Sequence, residues 1–336
     1  MLNLFITSKC NLNCDYCFVA SDFNLAPTLL SKPDFLSLLS WLKETNAASL
    51  AILGGEPTLH PELLFFLDSL WSSGVCPVLF TNALFPSSLA EPLAKLTYNI
   101  VVNYNQPKMY SREAYALREK NISLLVEFGG RLAFSKNFAP GFLDYDYLID
   151  GAKRFGIKTI RYDLSRPRED RKNIYFDQKS SQKSIQNSSQ QNNQTNPHNS
   201  PPNSSQQNPL TSTDLATIAL VDFVRMATKA DLTVGLDCCL PPCLFSQEDL
   251  GDLRRLSDPF SGTCRPSLDI LTDLSVRHCW PLKNISAPKV SSFDGELDLL
   301  GFFAELALPI RQKNRNQCGP CQFPPSECQG GCLASS

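Results

Sequence analysis

Short apolar runs and longer amphipathic stretches alternate through the first half of the chain. The runs cover residues 2–6, 50–53, 77–80, 100–103, 132–134 and 159–162, and their length and polar flanks predict buried strands. Apolar residues return every three or four positions over 34–44, 62–71, 87–95, 113–128 and 145–155, which predicts five helices, with a sixth over 214–229. Pro33 and Pro61 stand where a helix can start, at positions that need no backbone donor. Strand followed by helix, repeated, implies parallel crossovers. The expected fold class is α/β, a partial (β/α)6 barrel of the TIM type over residues 1–236, with chemistry gathered at the C-terminal ends of its strands.

Residues 178–212 separate the sixth helix from its strand. This insertion is dominated by Ser, Gln, Asn and Pro, cannot bury enough surface to offset the entropy of ordering, and is expected to be a disordered loop. The other reading is a lid or partner-binding segment, because it leaves from the active side of the barrel. Residues 237–336 are read as a small second domain.

The chain has 336 residues, 43% of them hydrophobic, enough for a large core. A net charge of −2 gives no reason to expect nucleic acid or an anionic membrane as partner. No apolar run approaches the roughly 18 to 20 residues of a membrane span. Thirteen cysteines would suggest disulfides in a small secreted domain, but the opening MLNLFITSKC lacks the basic-then-apolar pattern of a signal peptide. A reducing, cytoplasmic setting is expected.

Three of those cysteines, Cys10, Cys14 and Cys17, form a C-x3-C-x2-C triplet directly behind the first strand. Three thiolates can hold three irons of a [4Fe-4S] cube and leave the fourth iron open. Structural zinc sites are commonly closed by four ligands, and no fourth Cys or His lies nearby. With Tyr16 before its last cysteine, CNLNCDYC resembles the cluster motif of the radical SAM superfamily. That resemblance implies S-adenosylmethionine (SAM) on the open iron, its reductive cleavage to methionine and a 5'-deoxyadenosyl radical, and hydrogen abstraction from a substrate.

Gly54, Gly55, Glu56 and Pro57 follow the second strand and resemble the superfamily's GGEP motif, which binds the SAM amino group. Glycines allow close backbone approach to a ligand, a carboxylate can accept from an ammonium, and proline stiffens the turn. By position, Thr81, Asn82, Asn103, Asn105, Ser135, Asn137 and Arg161 stand where the superfamily places polar groups facing SAM. Asn is also a common turn residue, and Arg161 could equally pair with Asp163 or another carboxylate. His60 reads as a cap for the helix after Pro61, and Cys76 as a small buried hydrophobe. No separate catalytic side chain is assigned.

The C-terminal third carries Cys238, Cys239, Cys243, Cys264 and Cys279, then Cys318, Cys321, Cys328 and Cys332. It resembles the SPASM extension, whose cysteines hold auxiliary [4Fe-4S] clusters in enzymes that often modify peptides. The matching positions are Cys264, Cys279, Cys318, Cys321, Cys328 and Cys332. Leu274 stands where that pattern has glycine, the Cys321 to Cys328 gap is one residue longer, and the pattern's last cysteine has no counterpart before Ser336. The resemblance implies one or two auxiliary clusters, one of which lacks a ligand or draws it from Cys238, Cys239 or Cys243. Read alone, C-x2-C followed by C-x3-C also suits zinc.

A peptide or protein side chain is the first expectation for substrate, by resemblance, with a reductase, flavodoxin or ferredoxin as electron donor. The barrel starts at Leu2 and leaves no room for a fused N-terminal peptide-binding module, so a small-molecule substrate is the second. A non-catalytic metal-binding or interaction protein is the third, and the GGEP turn argues against it.

Overall fold

The computed structural model describes residues 2–14, 16, 17, 19, 28–139, 141–164, 212–258, 260–265, 267–282 and 284–335. The insertion expected over 178–212 lies outside the described residues up to 211.

Alternating strands and helices run from β1 (Leu2–Phe5) through α1 (Lys32–Glu44), β2 (Ser49–Leu53), α2 (Leu63–Ser72), β3 (Cys76–Thr81), α3 (Ala90–Leu96), β4 (Asn99–Asn103), α4 (Arg112–Glu127), β5 (Leu132–Phe138), α5 (Asp146–Phe155), β6 (Thr159–Leu164) and α6 (Ser212–Lys229) to β7 (Thr233–Leu236). The helix starts are written in short polar side chains. Ser31 caps α1 by accepting from the Asp34 amide, with Pro33 in the first turn, and Ser111 caps α4 by accepting from Ala114. Gly156 ends α5 at φ 68°, the left-handed conformation glycine adopts at no steric cost.

β1 to β7 are parallel and hydrogen-bonded in chain order. Registers such as Leu4↔Ile52, Ile52↔Leu79 and Leu79↔Ile100 align one apolar row, which faces the helices and forms the core with Phe35, Phe66, Leu67 and Ile122. The alternate row faces inward. The Arg161 guanidinium on β6 lies 4.9 Å from the Phe80 ring centroid on β3, so strands three places apart in the sheet meet across the lumen.

The six expected strand–helix units are present, with β5 and β6 running longer than the sequence pattern suggests. Polar inward residues interrupt the apolar runs of both: Ser135 and Asn137 on β5, Arg161 and Asp163 on β6. The sheet has four strands beyond the six expected, three of them after residue 236. A seventh parallel strand, β7, pairs with β6. On the other side, β9 (Asp269–Ile270) pairs parallel with β1, and the antiparallel strands β10 (Ser275–Arg277) and β11 (Ser286–Lys289) complete ten strands. Between β7 and β9 come α7 (Gln247–Leu256) and β8 (Gly262–Thr263); α8 (Glu296–Gln317) leads to β12 (Cys328–Gly331), which pairs with β8 as a separate ribbon.

Leu274, in the turn before β10, takes φ 67° and is almost fully buried. A left-handed leucine costs about 1–2 kcal/mol, which burial of the side chain offsets. Cys76 opens β3 and is only half-buried, so it is less enclosed than expected. Among the described residues no helix is long and apolar enough to cross a membrane.

Candidate metal and cofactor site

The segment after β1 leaves the C-terminal end of the sheet and is pinned to the turn after β2. Gly55 donates its amide to the Thr7 carbonyl at 2.8 Å, and Glu56 donates to the Lys9 carbonyl at 2.7 Å. Approach this close requires glycine. A Cβ on Gly55 would lie 2.3 Å from the Lys9 carbonyl oxygen and 2.9 Å from Cys10 Cβ, and one on Gly54 would lie 2.6 Å from the Thr7 carbonyl oxygen. Farther along, Asn11 donates to the Leu84 carbonyl at 2.8 Å and accepts from Asn82 Nδ2 at 2.7 Å, which ties the loop to the end of β3. The Cys17 amide donates to the Cys14 carbonyl at 3.0 Å. Cys10 is exposed at the rim, while Cys14 and Cys17 are half-buried. Although the residue is exposed, its sulfur is partly desolvated, which raises the Cys10 thiol above its ordinary range; the Leu12 amide lowers it, and the nearby charges of Glu56 and Cys17 raise it.

Glu56 is buried, and four protein donors already use its carboxylate. Oε1 accepts from the Thr58 amide at 3.2 Å and from the hydroxyls of Thr58 and Thr81, each at 2.7 Å; Oε2 accepts from the Asn82 amide at 2.8 Å. Desolvation raises its pKa and these bonds lower it. The carboxylate is therefore a tie between β2 and β3, and one acceptor position on Oε2 remains for a ligand. Glu56→Ala would strand the Asn82 amide, and the expected loss is about 1–3 kcal/mol of stability by urea denaturation. A loss under about 0.5 kcal/mol would show that the tie carries no weight.

Of the other residues expected to face SAM, the structure brings Tyr16 and Asn103 together with Asn105. The Tyr16 hydroxyl donates to Asn105 Oδ1 and accepts from Asn103 Nδ2 at 3.2 Å. Burial holds the Tyr16 phenol protonated. Asn103 Oδ1 is buried without a hydrogen-bond partner, an acceptor that suits a ligand hydroxyl or amine. Ser135 stands in register between Asn103 and Arg161 on the same inward row, and Asn137 is opposite Asp163. Arg161 pairs with Asp237, Nε to Oδ1 at 2.6 Å, rather than with Asp163. Burial raises the Asp237 carboxyl and Arg161 lowers it.

His60 takes a structural part. Its Nδ1 accepts from the Glu62 amide at 3.1 Å, so Nε2 carries the proton donated to the Leu30 carbonyl at 3.0 Å. Three contributors were not legible in the sequence. Asp237 follows a strand too short to be read. Arg118 on α4 is fully buried, donates to the Asn105 carbonyl at 2.8 Å and stacks on Tyr104 at 4.1 Å, yet in sequence it looks like a charge on a solvated helix face. Trp280 packs on Phe5 with ring centroids 4.5 Å apart, in an apolar cluster with Val19 and Cys17 that joins the C-terminal region to the lumen.

The glycine cradle, the orphaned Asn103 acceptor and a loop that presents three thiols at the strand ends all fit a cluster with SAM beside it. Known proteins agree. The profile of the Radical SAM superfamily matches residues 4–105. A 7-carboxy-7-deazaguanine synthase of Neisseria meningitidis serogroup B is 38% identical over 165 residues, 47% of this chain and 68% of the relative. An S-adenosylmethionine-dependent nucleotide dehydratase of a Thermoplasmatales archaeon is 37% identical over 68 residues, 20% of this chain and 22% of the relative. The chain spans less than a third of the length of the first curated relatives it matches. Among solved structures, Streptococcus suis SuiB bound to S-adenosylmethionine has the same fold, with a TM-score of 0.61, 17% identity, and coverage of 99% of this chain and 72% of SuiB. Together, the matched profile and the identity shared across two thirds of the deazaguanine synthase place the chain in the radical SAM superfamily.

Proposed function

We propose that the chain cleaves SAM reductively and abstracts hydrogen from a peptide or protein side chain, using Cys10, Cys14 and Cys17 as the three protein ligands of the catalytic cluster. Membership of the superfamily implies SAM and a [4Fe-4S] cluster, which when bound together supply a 5'-deoxyadenosyl radical. The single observation that carries the site is the double backbone tie of Gly55 and Glu56 to the Thr7 and Lys9 carbonyls, which sets the cysteine loop directly against the GGEP turn. In this reading Gly54, Gly55, Glu56 and Pro57 line the amino-acid end of SAM. Tyr16, Asn103 and Ser135 line its nucleoside, with Asn137 and Arg161 farther along the inward row. The apolar cluster of Phe5, Val19 and Trp280 keeps one side of the lumen dry, which protects a radical from quenching.

The C-terminal cysteines are read as SPASM-like auxiliary cluster ligands. The left-handed φ of Leu274, where that pattern has glycine, supports this, because it is a conformation that glycine adopts at no steric cost. A small-molecule substrate is the second reading, favoured by curated relatives named for nucleotide and deazaguanine chemistry. Anaerobically reconstituted protein, reduced with dithionite, should form 5'-deoxyadenosine from SAM. No 5'-deoxyadenosine from protein that carries its catalytic cluster would overturn the proposal. Addition of short peptides or of nucleotides and purine analogues should accelerate its formation in one set and not the other, which decides between the two substrate classes.

A further inference from the structure

The buried face of α4 is made of Arg118, Asn121, Ile122 and Leu125, at the i, i+3, i+4, i+7 spacing of a helix packed on a sheet. Ile122 and Leu125 are residues that dock a helix. An arginine and an asparagine in the same stripe, both fully buried, must have their hydrogen-bonding groups met inside the protein. Both direct them at backbone carbonyls of strand-end loops.

Asn121 reaches the loop after β3. Its Nδ2 donates to the Ala83 carbonyl at 2.9 Å and the Phe85 carbonyl at 2.7 Å, and its Oδ1 accepts from the Ser87 hydroxyl at 2.8 Å. These bonds hold a turn in which Ala83 takes φ 61°. Arg118 reaches the loop after β4, where Nη1 donates to the Asn105 carbonyl at 2.8 Å. Its Nε and Nη2 donate to Glu119 at 3.3 and 3.0 Å, and its guanidinium lies 4.1, 4.5 and 4.8 Å from the ring centroids of Tyr104, Tyr110 and Tyr115. Three rings and a carboxylate fix the direction in which Nη1 points.

The two loops that α4 holds are the two that hold the cysteine loop. Leu84 sits between the carbonyls bound by Asn121, and its own carbonyl accepts from Asn11 Nδ2 at 2.8 Å, while Asn82 donates to Asn11 Oδ1 at 2.7 Å. Asn105, whose backbone Arg118 binds, accepts through its side chain from the Tyr16 hydroxyl. Asn11 lies between Cys10 and Cys14, and Tyr16 between Cys14 and Cys17. We infer that Arg118 and Asn121 are positioning residues that set the cysteine loop from the outer side of the barrel, Asn121 acting through residues 82–85 on Asn11 and Arg118 acting through Asn105 on Tyr16. Cys14 is thereby held from both sides by one helix. The consequence for a cluster rests on the reading of Cys10, Cys14 and Cys17 as its ligands; the positioning rests on these hydrogen bonds alone.

The test is hydrogen exchange over the cysteine loop, read by mass spectrometry in the full-length chain before reconstitution, so that it decides even if the chain binds no iron. Arg118→Met and Asn121→Leu should each speed exchange in that loop about five- to tenfold, the effect of one lost hydrogen bond on a local opening. Arg118→Lys, which keeps a donor for the Asn105 carbonyl, should restore part of the protection. Ile122→Ala is the control: it removes packing from the same face of α4, lowers the urea midpoint and should leave loop exchange unchanged, because it touches neither loop. Should a core variant not fold, Asn11→Ala, at an exposed position, removes the loop's own end of the first path and should speed exchange by the same factor. In a double-mutant cycle Asn121→Leu should add little to Asn11→Ala. After anaerobic reconstitution, the EPR change on adding SAM should need about five- to tenfold more SAM in Arg118→Met and Asn121→Leu. Wild-type exchange as fast as in an unstructured peptide, loop exchange that rises equally in Ile122→Ala, or full additivity of Asn11→Ala with Asn121→Leu would overturn the inference. A wild type that takes up no iron, with the exchange results as expected, refutes the ligand reading and leaves the positioning standing.

Discussion

Replacing Cys14 by alanine is expected to reduce 5'-deoxyadenosine formation to the level of a protein-free control while the chain stays folded. Apart from the contact of the Cys14 thiol with Tyr16, the loop is held by groups the substitution leaves alone: the Thr7 and Lys9 carbonyls, the Asn11 side chain and the Cys14 carbonyl itself. The thiol is half-buried, and its loss from the metal-free chain should cost less than about 1 kcal/mol. Two remaining thiolates cannot hold three irons, so the open iron that SAM needs is lost with the third ligand. An unchanged midpoint in urea with no product is the expected pair of results. Wild-type product yield in Cys14→Ala would remove Cys14 from the site.

Gly55→Ala should be nearly as damaging, by a steric route. Its backbone carries no positive φ, so conformational preference is not the issue. The added methyl would meet the Lys9 carbonyl at 2.3 Å, a contact with backbone that no rotamer change relieves. The loop must move away from the turn, breaking the Glu56 amide bond to Lys9 and displacing Cys10. A strain of about 1–3 kcal/mol is expected, with a much larger loss of cluster iron and SAM cleavage. Gly251 in α7 serves as the control, because a Cβ there meets nothing within 4 Å. Gly251→Ala should stabilise by about 0.5–1 kcal/mol and leave iron content unchanged. Full iron and activity in Gly55→Ala would show that the cradle is not required.

What could be read from the sequence was local. The Cys10, Cys14, Cys17 triplet and the Gly54 to Pro57 turn are short contiguous motifs, and the long helices announce themselves by period. β7 and β9 were not readable because each is only two to four residues long, and their strand character comes from neighbours far away in sequence, as when Asn3 pairs with Asp269. The sequence offers Asp163 to Arg161 and hides the actual partner for the same reason, since Asp237 enters the lumen only because β7 extends the sheet. Arg118 defeats pattern reading altogether: a fully buried guanidinium survives there because Tyr104, the Asn105 carbonyl and Glu119 receive it.

The pairing of β1 with β9 also bears on how the chain reaches its native state. One edge of Leu2–Phe5 stays unpaired until residues some 266 positions later arrive, and a contact that distant is slow to form. Until then an apolar strand with open backbone donors and acceptors is a template for intermolecular pairing. A shortened chain ending before β8 would keep that edge permanently open. It should accumulate as insoluble material even though every residue of the cysteine loop and the GGEP turn is retained, and co-expression of the missing segment should return it to solution.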